Sequence, residues 1–155
     1  MAVLTESMRK RIEEYIPRYP NKQAVTLPAL HIVQEELQCV PLDAMKEIAE
    51  ILDLHPSQVY DTVSFYGFFR LESAKLGAKR LWVCRSISCM LRGGEELLAD
   101  ICHKYDVKPG GTTKDGKLTI EFAECLGACE GAPCVLVNDE CHMNVTADSV
   151  EKIVS

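Results

Sequence analysis

The placement of Cys84, Cys89, Cys125 and Cys129 constrains this chain more than any other feature. The first two form a C-x4-C pair, the last two a C-x3-C pair, and 35 residues lie between the pairs. If these thiolates act together, two segments distant in sequence must end at one place in the fold. Four cysteine sulfurs can terminate the two irons of a 2Fe-2S unit, two thiolates to each iron. Structural zinc more often uses pairs with two residues between the thiols. The wider gaps favour a cluster, whose irons must be reached by loops that also enclose the inorganic sulfides. A zinc staple is the competing interpretation.

The 155 residues suffice for one ordinary domain or two small ones. A hydrophobic share of 47% and a charged share of 26% are those of a soluble globular protein. The net charge of -6 would repel a nucleic-acid backbone, so no nucleic-acid partner is expected. Glu6, Arg9, Lys10, Arg11, Glu13 and Glu14 interrupt the apolar positions near the start, leaving no run for a signal peptide or membrane span. The expected location is cytoplasmic, without membrane insertion. In that compartment eight cysteines point to metal or redox chemistry rather than a disulfide framework.

Residues 1–72 read as a helical bundle. Met8, Ile12, Tyr15 and Ile16 share one helical face that Pro17 and Pro20 end, and Leu27, Leu30, Val33 and Leu37 recur at helical spacing behind Thr26 as N-cap. Leu42, Met45, Ile48, Ala49 and Leu52 form another stripe after Pro41, and His55-Pro56-Ser57 opens a short helix leading to Phe65, Tyr66, Phe68 and Phe69. These aromatics read as core closing the bundle, with a partner-binding patch as the alternative. After a linker at 70–78 the period changes. Leu81, Trp82 and Val83 form a β-prone run delivering Cys84, and a helix is expected from about Met90 to Tyr105 with Leu91, Leu97, Leu98 and Ile101 buried. Leu118, Ile120 and Phe122 alternate with polar Thr119 and Glu121 in a half-buried strand after an Asp115-Gly116 turn, leading into Cys125. Strands at 135–137 and 141–143 and a final helix capped by Thr146 complete a small α/β layer over residues 78–155, with both cysteine pairs at strand ends.

An oxidised 2Fe-2S centre with four thiolates carries about -2, and one electron makes it about -3. Nearby positive charge and hydrogen-bond donors therefore ease reduction. Loop amides around Ser86, Ile87, Leu126 and Gly127 can point at the sulfurs, and Gly127 suits close backbone approach. Arg85 would raise the potential, whereas Glu124 and Glu130 would lower it. Such a centre stores one electron at a time, whereas a nicotinamide delivers a hydride, so the chain cannot oxidise NADH alone. It has no G-x-G-x-x-G fingerprint. Gly111, Gly116 and Lys117 match part of a phosphate loop, but Leu118 stands where a magnesium-binding hydroxyl is needed. Cys39, Cys102, Cys134 and Cys141 read as small buried hydrophobes. Cys134 also forms a C-x4-C pair with Cys129 and could replace it, although Pro133 directs Cys134 into a strand. A Rieske centre fails because Cys102-His103 and Cys141-His142 are adjacent, and no C-x-x-C pair supports thiol-disulfide exchange.

With Arg18-Tyr19-Pro20, the segment from Gln58 to Tyr66, Val83-Cys84 to Gly93, Thr112 to Gly116, and Glu124-Cys125 to Pro133, the chain resembles the small 2Fe-2S subunit of the NADH-dehydrogenase module of respiratory complex I, an NADH-quinone oxidoreductase. The resemblance runs nearly end to end. It implies an α+β protein, an N-terminal helical bundle at 1–72 followed by a thioredoxin-like 2Fe-2S domain at 78–155. It also implies ligation by Cys84, Cys89, Cys125 and Cys129, no catalytic residue of its own, a flavoprotein partner carrying FMN and binding NADH, further iron-sulfur subunits, and a place in the peripheral arm of a membrane-associated complex. Related subunits serve NAD-linked hydrogenases and formate dehydrogenases, and the residues do not choose among these. A free-standing ferredoxin is disfavoured by the helical half, which a shuttle does not need.

Overall fold

The computed structural model describes residues 2–154, so the outermost residues of the two expected segments lie outside it. The chain separates into two compact units, Met1–Lys75 and Leu76–Ser155. Among the described residues no helix is long and apolar enough to cross a membrane.

In the first unit the apolar stripes become α1 (Glu6–Tyr15), α2 (Thr26–Leu37), α3 (Leu42–Leu52) and α4 (Pro56–Phe65). Ile12, Val25, Leu30, Val33, Met45, Ile48, Leu52 and Val59 bury fully against one another, and that burial drives the bundle together. Thr26 is not the cap of α2. A single 3-10 turn, Lys22–Val25, precedes it with Asn21 accepting from the Ala24 N–H, and the Thr26 hydroxyl turns back to donate to Gln23 O at 2.7 Å. At α4 the His55 ring accepts from the Ser57 N–H while the Gln58 side chain accepts from the His55 N–H, a reciprocal cap that fixes the helix start. Leu42 is exposed, since it precedes the first buried turn of α3, and only Phe69 of the four aromatics is fully buried. Tyr66 and Phe68 pack half-buried beside it, whereas Phe65 is 79% exposed.

One polar residue ties down the start of the bundle. Glu47, nearly buried on α3, accepts from the Val3 N–H at 2.5 Å, from the Leu4 N–H at 3.3 Å, and from the Arg9 guanidinium. Removing it leaves two amides and a cation without their carboxylate. Glu47→Ala is expected to cost about 2 kcal/mol in chemical denaturation and to speed amide exchange at Val3 and Leu4. Unchanged stability and exchange would contradict this account.

In the second unit the central strand is β1 (Lys79–Cys84). It is followed by α5 (Ile87–Leu91), α6 (Gly94–Lys104), β2 (Gly111–Thr112), β3 (Leu118–Ala123), β4 (Val135–Val137), β5 (Glu140–His142) and α7 (Ala147–Val154). The sheet order is β2-β3-β1-β4-β5. Only β1 and β3 run parallel, from Lys79 opposite Leu118 to Cys84 opposite Ala123; β1 and β4 are antiparallel, with Val83 opposite Val135. Leu98 and Ile101 of α6 and Val150 of α7 bury against Leu81, Val83, Ile120 and Val135. Thr146 does cap the last helix, its hydroxyl accepting from the Ser149 N–H.

Two expectations require correction here, and one strand goes beyond those expected. The helix expected from Met90 is two helices broken at Arg92–Gly93, where Gly93 takes φ 84°, so Leu91 ends on another face and is 76% exposed. The two-residue strand β2 is too short to leave a periodic trace. Glu121, expected on the polar face of its strand, is buried and bonded to Arg80 Nε at 2.5 Å and Trp82 Nε1 at 2.9 Å.

Candidate metal centre

Cys84 lies at the end of β1 and Cys89 two residues into the short α5. The turn between them is held close by α6. A Cβ on Gly94 would lie 2.8 Å from Cys84 O and 2.9 Å from Cys89 O, so only glycine lets the helix reach both. Cys134 follows Pro133 and immediately precedes β4, and its carbonyl accepts from the Cys84 N–H at 3.2 Å. That ladder position sets Cys134 across from Cys84. The three sulfurs of Cys84, Cys89 and Cys134 all lie within 4.8 Å of one another, and all three residues are buried.

The second pair comes to this site through its backbone. Leu126, between Cys125 and Cys129, directs its N–H at the Cys84 sulfur, as does Ser86. Leu126 and Ala128 also pack with Cys84, Cys89, Cys134 and Ala132 in one apolar cluster. The thiols of Cys125 and Cys129 are themselves exposed and are not among the three gathered sulfurs. Gly127 supplies a left-handed turn, φ 79°, rather than close approach, because a Cβ there would meet nothing within 4 Å. Of the other cysteines, Cys39 and Cys102 are buried hydrophobes, and burial pushes both thiols up from the usual range. Cys141, expected to be buried as well, is exposed on the edge strand β5.

The electrostatics are uneven across the three buried thiols. Burial opposes ionisation of Cys84, yet the Leu126 and Ser86 amides, aided by the Cys89 and Cys134 thiols, outweigh it and hold its pKa below the usual thiol range. At Cys89 burial dominates and raises the pKa, although the Cys134 N–H donates to its sulfur. Cys134 is raised furthest, by burial and then by the neighbouring Cys89. Cys84 is therefore the most readily ionised of the three, and a bound cation would draw the others into ionised form.

The donor set fits a thiolate-bound metal centre. Tetrahedral metal–sulfur bonds of about 2.3 Å separate two sulfurs on one metal by about 3.8 Å. Cys89 Sγ and Cys134 Sγ are 3.6 Å apart. Soft thiolates enclosed by apolar side chains and backbone donors are the surroundings that iron-sulfur units require.

Known proteins agree. The family model described as thioredoxin-like 2Fe-2S ferredoxin matches residues 12–155. An E-type subunit of NADH-quinone oxidoreductase from Rhizobium meliloti is 37% identical over 148 residues, covering 96% of this chain and 87% of that one. The E-type subunit of the same enzyme from Aquifex aeolicus is 37% identical over 136 residues, covering 87% and 83%. Among solved structures, an NAD+-reducing NiFe hydrogenase in the H2-reduced state superposes with a TM-score of 0.72 at 22% identity, covering 83% of this chain and 22% of that chain, a likeness of fold. With its helical unit, its five-stranded mixed sheet and its gathered thiols, the chain belongs to the thioredoxin-like 2Fe-2S ferredoxin family, and a 2Fe-2S cluster is its cofactor.

Proposed function

We propose that this chain is the electron-transfer subunit of an NADH-quinone oxidoreductase, holding its cluster through Cys84, Cys89, Cys125 and Cys129. The observation that carries this is near-complete coverage by E-type relatives, at 37% identity over 96% of the chain for the Rhizobium protein. The two motifs also adjoin, since the Leu126 amide reaches the Cys84 sulfur. A 2Fe-2S cluster supplies one-electron storage and release. The chain's own residues do the rest. The Leu126 and Ser86 amides offset negative charge at Cys84, and Leu126, Ala128 and Ala132 keep water from the buried sulfurs. NADH oxidation then belongs to an FMN-bearing flavoprotein partner, because a hydride carries two electrons; further iron-sulfur subunits continue the path in the peripheral arm of the complex.

Purifying the native complex anaerobically and assaying iron, acid-labile sulfide and flavin tests this. The expected result is a red-brown assembly with a flavoprotein, this chain reconstituting with about two irons and two sulfides. Colourless protein holding zinc would sink the proposal. Co-purification with hydrogenase or formate dehydrogenase catalytic subunits would instead move the same electron-transfer role to a different complex.

The charge beside Cys84 gives a further prediction. Arg85 is exposed, stacks 5.7 Å over the Phe122 ring, and pairs with Glu124, Nε to Oε1 at 3.0 Å. The hydrogen bond to Glu124 pushes the pKa of the guanidinium up from its ordinary value. Its positive charge is thus partly cancelled, and the opposition of Arg85 and Glu124 expected from the sequence takes the form of a direct ion pair. Arg85→Ala is expected to lower the midpoint potential in redox-poised EPR at low salt, and Arg85→Ala/Glu124→Ala to restore most of the shift. A rise in the single variant would contradict it.

A further inference from the structure

Cys134 is the one thiol of the buried trio that the four-cysteine assignment leaves unused. Cys84 ends β1 and Cys134 immediately precedes the neighbouring β4, the two joined by the 3.2 Å backbone hydrogen bond, and Cys89 on α5 completes the group. Each is at most 2% exposed, whereas Cys125 and Cys129 are exposed on their loop. Three soft donors are therefore held at metal-binding separation by sheet and helix, before the second motif contributes a sulfur. Backbone N–H groups already point at two of them, from Leu126 and Ser86 to Cys84 and from Cys134 to Cys89.

We infer that, in the cluster-free chain, Cys84, Cys89 and Cys134 form a three-thiolate site for a single soft cation such as zinc or copper(I). Three thiolates and one divalent ion leave a net charge of about -1 in a pocket with amide donors, a smaller burden than three bare thiolates, and the displaced thiol protons pass to the buffer. Preorganisation favours this trio over any set that must first order the exposed loop thiols. The consequence is competition. A thiophilic ion seated there occupies two of the sulfurs that the cluster needs, so such ions block cluster loading at a site separate from Cys125 and Cys129.

Cobalt(II) alone serves as the probe, because its thiolate charge-transfer absorption counts the sulfurs bound. The full chain is stripped of iron under reductant and titrated anaerobically, as wild type, as Cys134→Val and as Cys125→Ala/Cys129→Ala. The wild type and the double variant are expected to bind one cobalt with equal charge-transfer intensity and affinity. Cys134→Val should lose about a third of the intensity, one thiolate of three. It should also bind more than about a hundredfold more weakly, beyond the loss seen for an outer-shell partner. Loss of binding in the double variant, or full binding in Cys134→Val, would overturn the inference. Since the double variant is altered only at exposed side chains, its result stands even if Cys134→Val fails to fold. Reconstitution with iron and sulfide separates this from the four-cysteine reading: a normal cluster in Cys134→Val supports that reading, and cluster loss there counts against it, without touching the cobalt result.

Discussion

Cys125→Ala/Cys129→Ala is expected to fold like the wild type and to lose its 2Fe-2S cluster. Both side chains are exposed, so their removal opens no cavity and strands no buried partner. What disappears is half the proposed ligand set. The buried trio of Cys84, Cys89 and Cys134 remains, but its sulfurs lie within 4.8 Å of one another, a spacing suited to one metal and too tight to terminate two bridged irons from both sides. Iron and acid-labile sulfide after reconstitution should fall at least about tenfold, and the visible absorption with them. A variant that regains wild-type iron, sulfide and colour would show that the exposed pair is not required, and the four-cysteine proposal would fail with it.

The second large effect concerns stability. Glu121 sits on β3 with only 7% of its side chain exposed, bonded to Arg80 and to the Trp82 indole, while the Arg80 guanidinium lies 4.4 Å over the Trp82 ring. Arg80 itself is 14% exposed. Glu121→Ala leaves a desolvated cation and an unpaired indole N–H side by side on one face of β1, a loss of about 3 kcal/mol. For a unit of this size that lowers the melting temperature of the apoprotein by about 15 °C. Glu121→Gln keeps an acceptor for the indole and should lose roughly half as much. A melt of Glu121→Ala within a few degrees of wild type would rule out a stabilising role for the triad.

The two cases differ in how they could be read from residues. Cysteine spacing exposes itself because ligand chemistry demands particular atoms, so the 2Fe-2S cofactor was legible without coordinates, as was the α+β division from the change of period. Period also served: the helical stripes of the first unit and the alternation of Leu118, Ile120 and Phe122 became α1 to α4 and β3. The same alternation misplaced Glu121, because period reports which face a side chain takes and is silent about a partner such as Arg80, 41 residues earlier in the chain. The Arg92–Gly93 break escaped notice for a related reason. Leu91 fits a helical stripe, but Gly94 must approach Cys84 O and Cys89 O, and that contact redirects the chain.

What the residues determined by themselves was the kind of chemistry: eight thiols in a chain without an apolar span, four of them in two spaced pairs, and local patterns that commit most segments to helix or strand. What only the tertiary structure decided was which thiols meet. Cys134 joins Cys84 and Cys89 because β4 pairs antiparallel with β1 in the register that sets Val83 opposite Val135. Local propensity depends on a few neighbouring residues, whereas that register is chosen by the burial of Leu81, Val83, Val135 and Val137 in one shared core. Contacts between residues so far apart in the chain arise from this collective packing, and no short stretch of sequence encodes them.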